Sequence, residues 1–333
     1  MKRGLIVGKF YPPHAGHHFL IDTGKANCDD LTVLVCDRPE HLIPGTLRAA
    51  WLRKAHPGVT VKVIHDTLDD RDSPSWASEA LRHMDGKLDI VFTSEEYGKP
   101  WSEAIGCEHH LVDIDRETYP CSGTKVRNNP FAVWDYLNPD VRAYFALRIC
   151  IVGAESTGKT TLAKDLAKHY KTTWVPEYGR QYTKEFVKNV WNYTWTKTDF
   201  MKIAKTQALL EDEAASSTNK LLVCDTDVFA TSIWYKRYMD ERSPETEAIA
   251  AKRPPIMLYI VPDPLTPFDQ DGIRDGEAIR PWMHQEFIHS LEMWGKDYVL
   301  VSGNRQERVE QATKIIDAYM AKGTGVSGKE ITL

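Results

Sequence analysis

The 333-residue sequence lacks any apolar run long enough to cross a bilayer, and its opening MKRGLIVGKF holds too short an apolar stretch for a secretory leader. A helical membrane protein is therefore excluded and a cytoplasmic one expected. Cysteine is scarce: the six residues Cys28, Cys36, Cys107, Cys121, Cys150 and Cys224 show no paired or CxxC spacing. Neither a disulfide framework nor a cysteine metal cluster is expected; three of the six fall in apolar, strand-like runs and read as buried free thiols. Positive charge is not in excess. With 42 Lys and Arg against 47 Asp and Glu the net charge is −5, which argues against a general nucleic-acid binder. There is no internal repeat and no low-complexity block. The tail after Lys322 is rich in Gly and Ser without a period, and it is expected to fray.

What is present is a regular alternation. Short β-branched runs, beginning at Gly4, Leu31, Val59, Leu88 and His109, are separated by helical patterns such as those over residues 47–54 and 76–84. The same grammar restarts at RICIVG (residues 148–153) and continues with LLVCDT (221–226), IMLYIVPD (256–263) and YVLVSG (298–303). Alternating strands and helices predict α/β architecture, here two doubly wound parallel-sheet domains. The expected boundaries are 1–127, an aromatic helical connector over 128–147, and 148–333.

The strongest motif is GAESTGKT at residues 153–160, which satisfies GxxxxGK[ST] at every defined position. A strand-like run enters it and the helical TLAKDLAKHY leaves it, so backbone N–H groups and a helix N-terminus converge on phosphate. Gly153, Glu155, Ser156, Thr157, Gly158 and Thr161 would form the ATP cradle. Lys159 would reach the β- and γ-phosphates, and the Thr160 hydroxyl would ligate Mg²⁺. Phosphorylation of a small alcohol also needs a carboxylate near the hydroxyl and a basic lid. Glu177 and Asp225 both follow strand-like runs, where α/β proteins collect ligands. Asp227 reads either as a functional carboxylate or as the N-cap of the next helix. Arg274 and Arg280, in the polar segment DQDGIRDGEAIRPW, fit a lid or an ordinary solvated loop.

The first half carries a second phosphate loop, GKFYPPHAGH over residues 8–17, directly after its first strand. Gly8 permits a tight turn, Phe10 can pack beneath the loop, and two prolines stiffen it. His14 and His17 lie three apart where a helix begins, so both can face one ligand. Two imidazoles at a helix N-terminus suit stabilisation of a pentavalent α-phosphate. Zinc is the lesser alternative, because no third ligand stands at metal-site spacing and His18 points elsewhere on the helix. CSGTKVR at residues 121–127 follows the last strand of this half. Ser122 and Thr124 can bind phosphate oxygens and Arg127 supplies a cation, although the segment alone also reads as a simple N-cap.

The pairing of GxFxPxHxGH with a downstream SGTxxR resembles the HxGH nucleotidyltransferase superfamily, and within it the nicotinamide mononucleotide adenylyltransferases. The join SGTKVRNNPFAVWDYLNPDVRAYFALRICIVGAESTGKTTL resembles the two-domain NadR family, in which that transferase is fused to a ribosylnicotinamide kinase. SEEYGKPW, VPEYGRQY, CDTDVFAT and DGIR extend the resemblance over nearly the whole chain. It implies a Rossmann-like transferase domain followed by a P-loop kinase domain. The kinase would convert nicotinamide riboside and ATP to nicotinamide mononucleotide; the transferase would then join that product to the AMP part of ATP, forming NAD and pyrophosphate. It further implies that Lys9 assists His14 and His17, that Glu177 or Asp225 organises substrate and metal, and that Tyr178 and Asp227 lie by the riboside. Tyr97 and Trp101 would stack near the nicotinamide, or serve as two core aromatics. Some members carry an N-terminal helix-turn-helix segment; this chain starts at its first strand, so DNA binding is not expected. A homo-oligomer remains open. So do two other readings: an HxGH transferase with a different acceptor, and a sensor of NAD or ATP without turnover.

Overall fold

Alternation at period two decides how each strand of the first half is used. In the computed structural model, which describes residues 1–69, 72–187 and 189–322, the first five strands are β1 (Arg3–Gly8), β2 (Asp30–Asp37), β3 (Thr60–His65), β4 (Ile90–Thr93) and β5 (Glu108–Leu111). All pair in parallel in the order β3-β2-β1-β4-β5. Ile6, Val33 and Val35 face one side, where they pack with Leu20, Ile21, Ala49 and Leu52 from the helices Ala15–Asn27 and Gly45–Ala55. Leu5, Leu34 and Cys36 face the other, against Ala77, Ala80 and Trp101 from Ser73–Arg82 and Gly98–Ile105. Both faces are covered, so the central strands are apolar at successive positions.

The second sheet consists of β6 (Leu147–Ile151), β7 (Trp174–Val175), β8 (Leu221–Asp225), β9 (Leu258–Pro262) and β10 (Tyr298–Val301). It is also wholly parallel, in the order β10-β9-β6-β8-β7. On one face Cys150, Val152, Leu222, Cys224, Tyr259 and Val261 meet Phe229, Ile233, Phe287 and Leu291. The architecture is thus α/β with two doubly wound parallel sheets, as the alternation predicts.

The chain divides into two compact units, Met1–Val141 and a second beginning at Arg142. The division falls inside the helix Pro139–Phe145, within the stretch expected to connect the halves. All six cysteines are free; Cys36, Cys121, Cys150 and Cys224 are buried, and Cys28 and Cys107 are half-buried. The Gly/Ser-rich tail beyond Lys322 lies outside the described residues. No helix among the described residues is long and apolar enough to cross a membrane.

Candidate active sites

In each unit the first strand ends in a loop that opens a helix, and a cavity lies at that end of the sheet. In the first unit the order of strands reverses at the β1–β4 pair, which leaves a crevice beyond their C-terminal ends. The cavity there has a volume of about 770 Å³.

Its floor is the loop over residues 8–14. His14 takes the N-cap position with an extended backbone, and its carbonyl accepts the N–H groups of His17 (2.8 Å) and His18 (3.1 Å). The imidazole itself makes no capping bond, which leaves it for the cavity. The His14 and His17 rings lie 3.8 Å apart, and Phe10, buried as expected, supports His17 edge-on at 5.0 Å. The Nδ1 atoms of both histidines are buried without a hydrogen-bond partner. Buried polar atoms are rarely left unpaired, so the pair is prepared for a ligand oxygen or proton. Burial, then Arg116, then His18 hold His14 down to about 3, and burial followed by His14 keeps His17 well below its ordinary value. The pair is neutral at physiological pH and offers N–H donors without a buried charge.

His18 turns away, as expected, to meet His56 Nε2 at 2.8 Å, and His56 in turn meets Asp22 at 3.1 Å. The SGT turn closes the opposite wall. Ser122 caps its helix by accepting the Lys125 N–H (3.2 Å), and Arg127 donates to the Tyr11 carbonyl (2.5 Å) and to Thr124 Oγ1 (3.2 Å). A Cβ on Gly123 would stand 2.5 Å from that same Tyr11 carbonyl oxygen, so only glycine allows the two loops to meet. Gly8, Lys9, Phe10, Ser122, Thr124 and Arg127 all line the cavity with the two histidines. Tyr97 and Trp101 line it too: Tyr97 is 41% exposed, whereas Trp101 is 3% exposed and its indole N–H is unpaired.

Two arginines of this site were not anticipated. Arg116 lines the cavity and helps keep the histidines neutral. Arg48 is fully buried and braces the loop: it donates to the carbonyls of Ile43 (2.8 Å), Cys36 (3.1 Å) and Lys9, and to the Asp37 carboxylate. Its signal is visible in retrospect as a charge on the same helical face as Trp51 and Leu52.

In the second unit the loop over residues 153–158 runs from β6 into the helix Lys159–His169. Gly153 and Gly158 take φ values of +140° and +85°, which L side chains rarely adopt. Lys159 Nζ donates to the Ala154 carbonyl at 2.8 Å, and Thr160 Oγ1 donates to Asp225 Oδ2 at 2.5 Å. The other Asp225 oxygen is buried and unpaired. Glu177 stands opposite, at the N-terminus of the helix Tyr178–Phe186. Burial raises both acids above the ordinary carboxylate range; Lys159 opposes the shift in each, and Asp225 adds to it in Glu177.

The arginine-bearing segment lies against this loop. Ser156 Oγ accepts the Asp269 N–H (2.8 Å) and Arg274 Nη1 (3.4 Å), and Glu155 accepts the Gly276 N–H at 2.8 Å. Arg274 lines the cavity. Arg280 does not; it braces the loop from behind through the carbonyls of Ser156 (3.3 Å) and Thr266 (2.8 Å). Much of the segment is exposed, but both of its arginines are held against the phosphate loop.

Two expected substrate residues are not brought to the cavity. Asp227 is 5% exposed and saturated: one carboxylate oxygen caps the helix Val228–Met239 at Ala230 N (2.8 Å), and the other accepts the Tyr259 hydroxyl (2.7 Å). Tyr178 packs in an aromatic cluster with Tyr182 and Val190. Their places on the wall belong to Trp195, Trp234, Tyr238, Arg180 and Gln207, of which only Arg180 falls in a motif, VPEYGRQY.

The chain is 30% identical over 295 residues to the trifunctional NAD biosynthesis/regulator protein NadR of Escherichia coli (strain K12), covering 81% of this chain and 71% of the relative. It is likewise 30% identical to the protein of that name from Salmonella typhimurium, with the same coverage. Residues 148–308 match the family described as AAA domain. A crystal structure of NadR protein in complex with NR superposes with a TM-score of 0.80 at 23% identity, covering 100% of this chain and 99% of that one. One of NadR protein in complex with NAD and AMP-PNP gives 0.77 at 22%, covering 100% and 98%. At those identities the superpositions establish the shared fold.

Two predictions follow from the placement of these groups. His14 titrates near 3 and His18 near 4 in the fold, against 6.5 in the unfolded chain, so between these values only the unfolded state takes up protons. Stability of the first unit should be whole above pH 6.5 and fall as the pH drops through 4 towards 3, with uptake of ~3 or more protons on unfolding because His17 is held low with them; a urea midpoint that is flat over this range would contradict it. Replacing Asp227 by Ala removes a cap and a charge-assisted bond, and should cost the second unit about 2–4 kcal/mol in denaturant melts. A change of less than ~1 kcal/mol would show that neither contact matters.

Proposed function

The chain belongs to the NadR family, and on that premise we propose that it is a bifunctional enzyme of NAD synthesis. The second unit phosphorylates nicotinamide riboside, and the first adenylylates the resulting nicotinamide mononucleotide. The observation that carries this reading is the presence, in one chain, of two complete and chemically different phosphate sites, each at the helix N-terminus that follows its unit's first strand.

In the kinase step ATP lies along residues 153–160, its β- and γ-phosphates held by the loop N–H groups and Lys159. Thr160 and Asp225 are the protein oxygens for Mg²⁺. Their 2.5 Å contact and the unpaired second oxygen of Asp225 fit that role, and the metal would offset the negative charge of the ATP phosphates. With Asp225 engaged by Thr160, Glu177 is the carboxylate left to face the riboside. It takes the proton of the 5′-hydroxyl as that oxygen bonds to the γ-phosphorus; the bond to the β–γ bridging oxygen breaks and ADP leaves. Its raised affinity for protons suits a general base. Arg274 supplies positive charge beside the loop.

In the transfer step a phosphate oxygen of the mononucleotide attacks the α-phosphorus of ATP, and the bond to the α–β bridging oxygen breaks to release pyrophosphate. No protein nucleophile is needed. His14 and His17 donate to the phosphate oxygens, aided by the helix N-terminus, Ser122, Thr124 and Arg127. Tyr97 and Trp101 provide the flat surface for the nicotinamide, and the unpaired Trp101 N–H is a donor for a polar substituent. A cytoplasmic location, where ATP is plentiful and thiols stay reduced, fits the six free cysteines.

Separate assays of the two steps test the proposal. Lys159→Ala should lower riboside phosphorylation by roughly a hundredfold or more and leave adenylyl transfer unchanged, and His17→Ala should do the reverse. Loss of both activities in either variant, or turnover of neither substrate by the unaltered chain, would overturn it.

A further inference from the structure

Gln207 sits in the middle of the helix Lys197–Ser216 and is 1% exposed. It shares the buried face with the apolar Phe200, Ile203, Ala204 and Ala215 and with two buried acids, Asp199 and Glu211. A buried amide there must satisfy its polar groups, and the two partners it finds are informative. Its Oε1 accepts the backbone N–H of Tyr178 at 2.9 Å, and its Nε2 donates to the backbone carbonyl of Thr226 at 3.4 Å. Tyr178 is the residue after Glu177, and Thr226 is the residue after Asp225. One carboxamide thus joins the two chain segments that carry the acids.

We propose that Gln207 is a positioning residue of the phosphoryl-transfer site, a clamp that sets the separation of Glu177 and Asp225 through the backbone behind each. The proposal rests on the kinase reading above.

Such a clamp has work to do. The two carboxylates repel one another, and each is also drawn to Lys159. Thr226 adopts φ of +64°, a left-handed conformation that a β-branched residue holds only when its surroundings impose it. Two bonds hold that residue: its N–H donates to the Ile151 carbonyl at 3.0 Å, and its carbonyl accepts from Gln207. Ile151 is the last residue of β6 before the phosphate loop. The frame therefore runs from the Glu177 turn through Gln207 and Thr226 to the strand that aims the loop. Without the amide the acids can move apart, and Glu177 loses its reach to the hydroxyl.

The test uses the full chain with Gln207→Leu, and Gln207→Met as the second variant should the first fail to retain ATP affinity. Riboside phosphorylation should fall by roughly ten- to hundredfold in kcat, as misplacement of a reacting group does, with KM for ATP little changed. Adenylyl transfer by the same preparation should be unaltered. An unchanged kcat, or a lower kcat accompanied by a comparable rise in KM for ATP in both variants, would overturn the clamp while the kinase reading stands. An unaltered chain that fails to phosphorylate the riboside would remove that reading and the clamp together.

Discussion

Phosphate groups are bound where several backbone N–H groups point the same way, and a parallel sheet builds such places as a consequence of its polarity. Every strand ends on the same side and every following helix begins there. Each unit of this protein uses its first strand for the purpose: β1 delivers residues 8–14 to the helix Ala15–Asn27, and β6 delivers residues 153–158 to the helix Lys159–His169. Once these termini are in place, the side chains only have to distinguish which phosphorus is attacked.

They do so by contrasting electrostatics. The first site presents a close, neutral histidine pair, suited to oxygens that gather charge at the α-phosphorus. The second presents a lysine, a hydroxyl–carboxylate pair and a further acid, which is the equipment for holding a metal and accepting a proton from an alcohol. Burial drives the shifts in both sites. It keeps imidazoles uncharged in one and carboxylates proton-hungry in the other, because a charged form always loses more solvation than a neutral one.

The two sheets and both phosphate loops were legible because their signals are local: strand periodicity, and glycine, lysine or histidine at fixed offsets along a turn. Asp227 and Asp225 illustrate the limit. They are two residues apart after the same strand, and either could have served as the functional acid. Only the fold shows that Asp227 is consumed by the Ala230 N–H and the Tyr259 hydroxyl, while Asp225 meets Thr160. Arg48, Arg116 and Gln207 were missed for a related reason. Each acts on groups distant in sequence, Arg48 on the Lys9 carbonyl, Arg116 on His14 and Gln207 on the backbone of Tyr178 and Thr226, and such contacts leave no motif at a fixed offset. The aromatic wall joins Trp234 and Tyr238, four apart on the helix Val228–Met239, to Trp195 from a loop distant in sequence, so helical spacing marks only part of it.

The account's central claim is that one chain passes a phosphoryl group to a nicotinamide nucleoside and then an adenylyl group to the product. The most direct measurement is mass spectrometry of NAD made by the unaltered chain from nicotinamide riboside and ATP whose γ-phosphate carries heavy oxygen. The account predicts labelled NAD, with the label on the phosphate of the nicotinamide half and none in the AMP half. No NAD, or NAD whose nicotinamide-side phosphate is unlabelled, would contradict it.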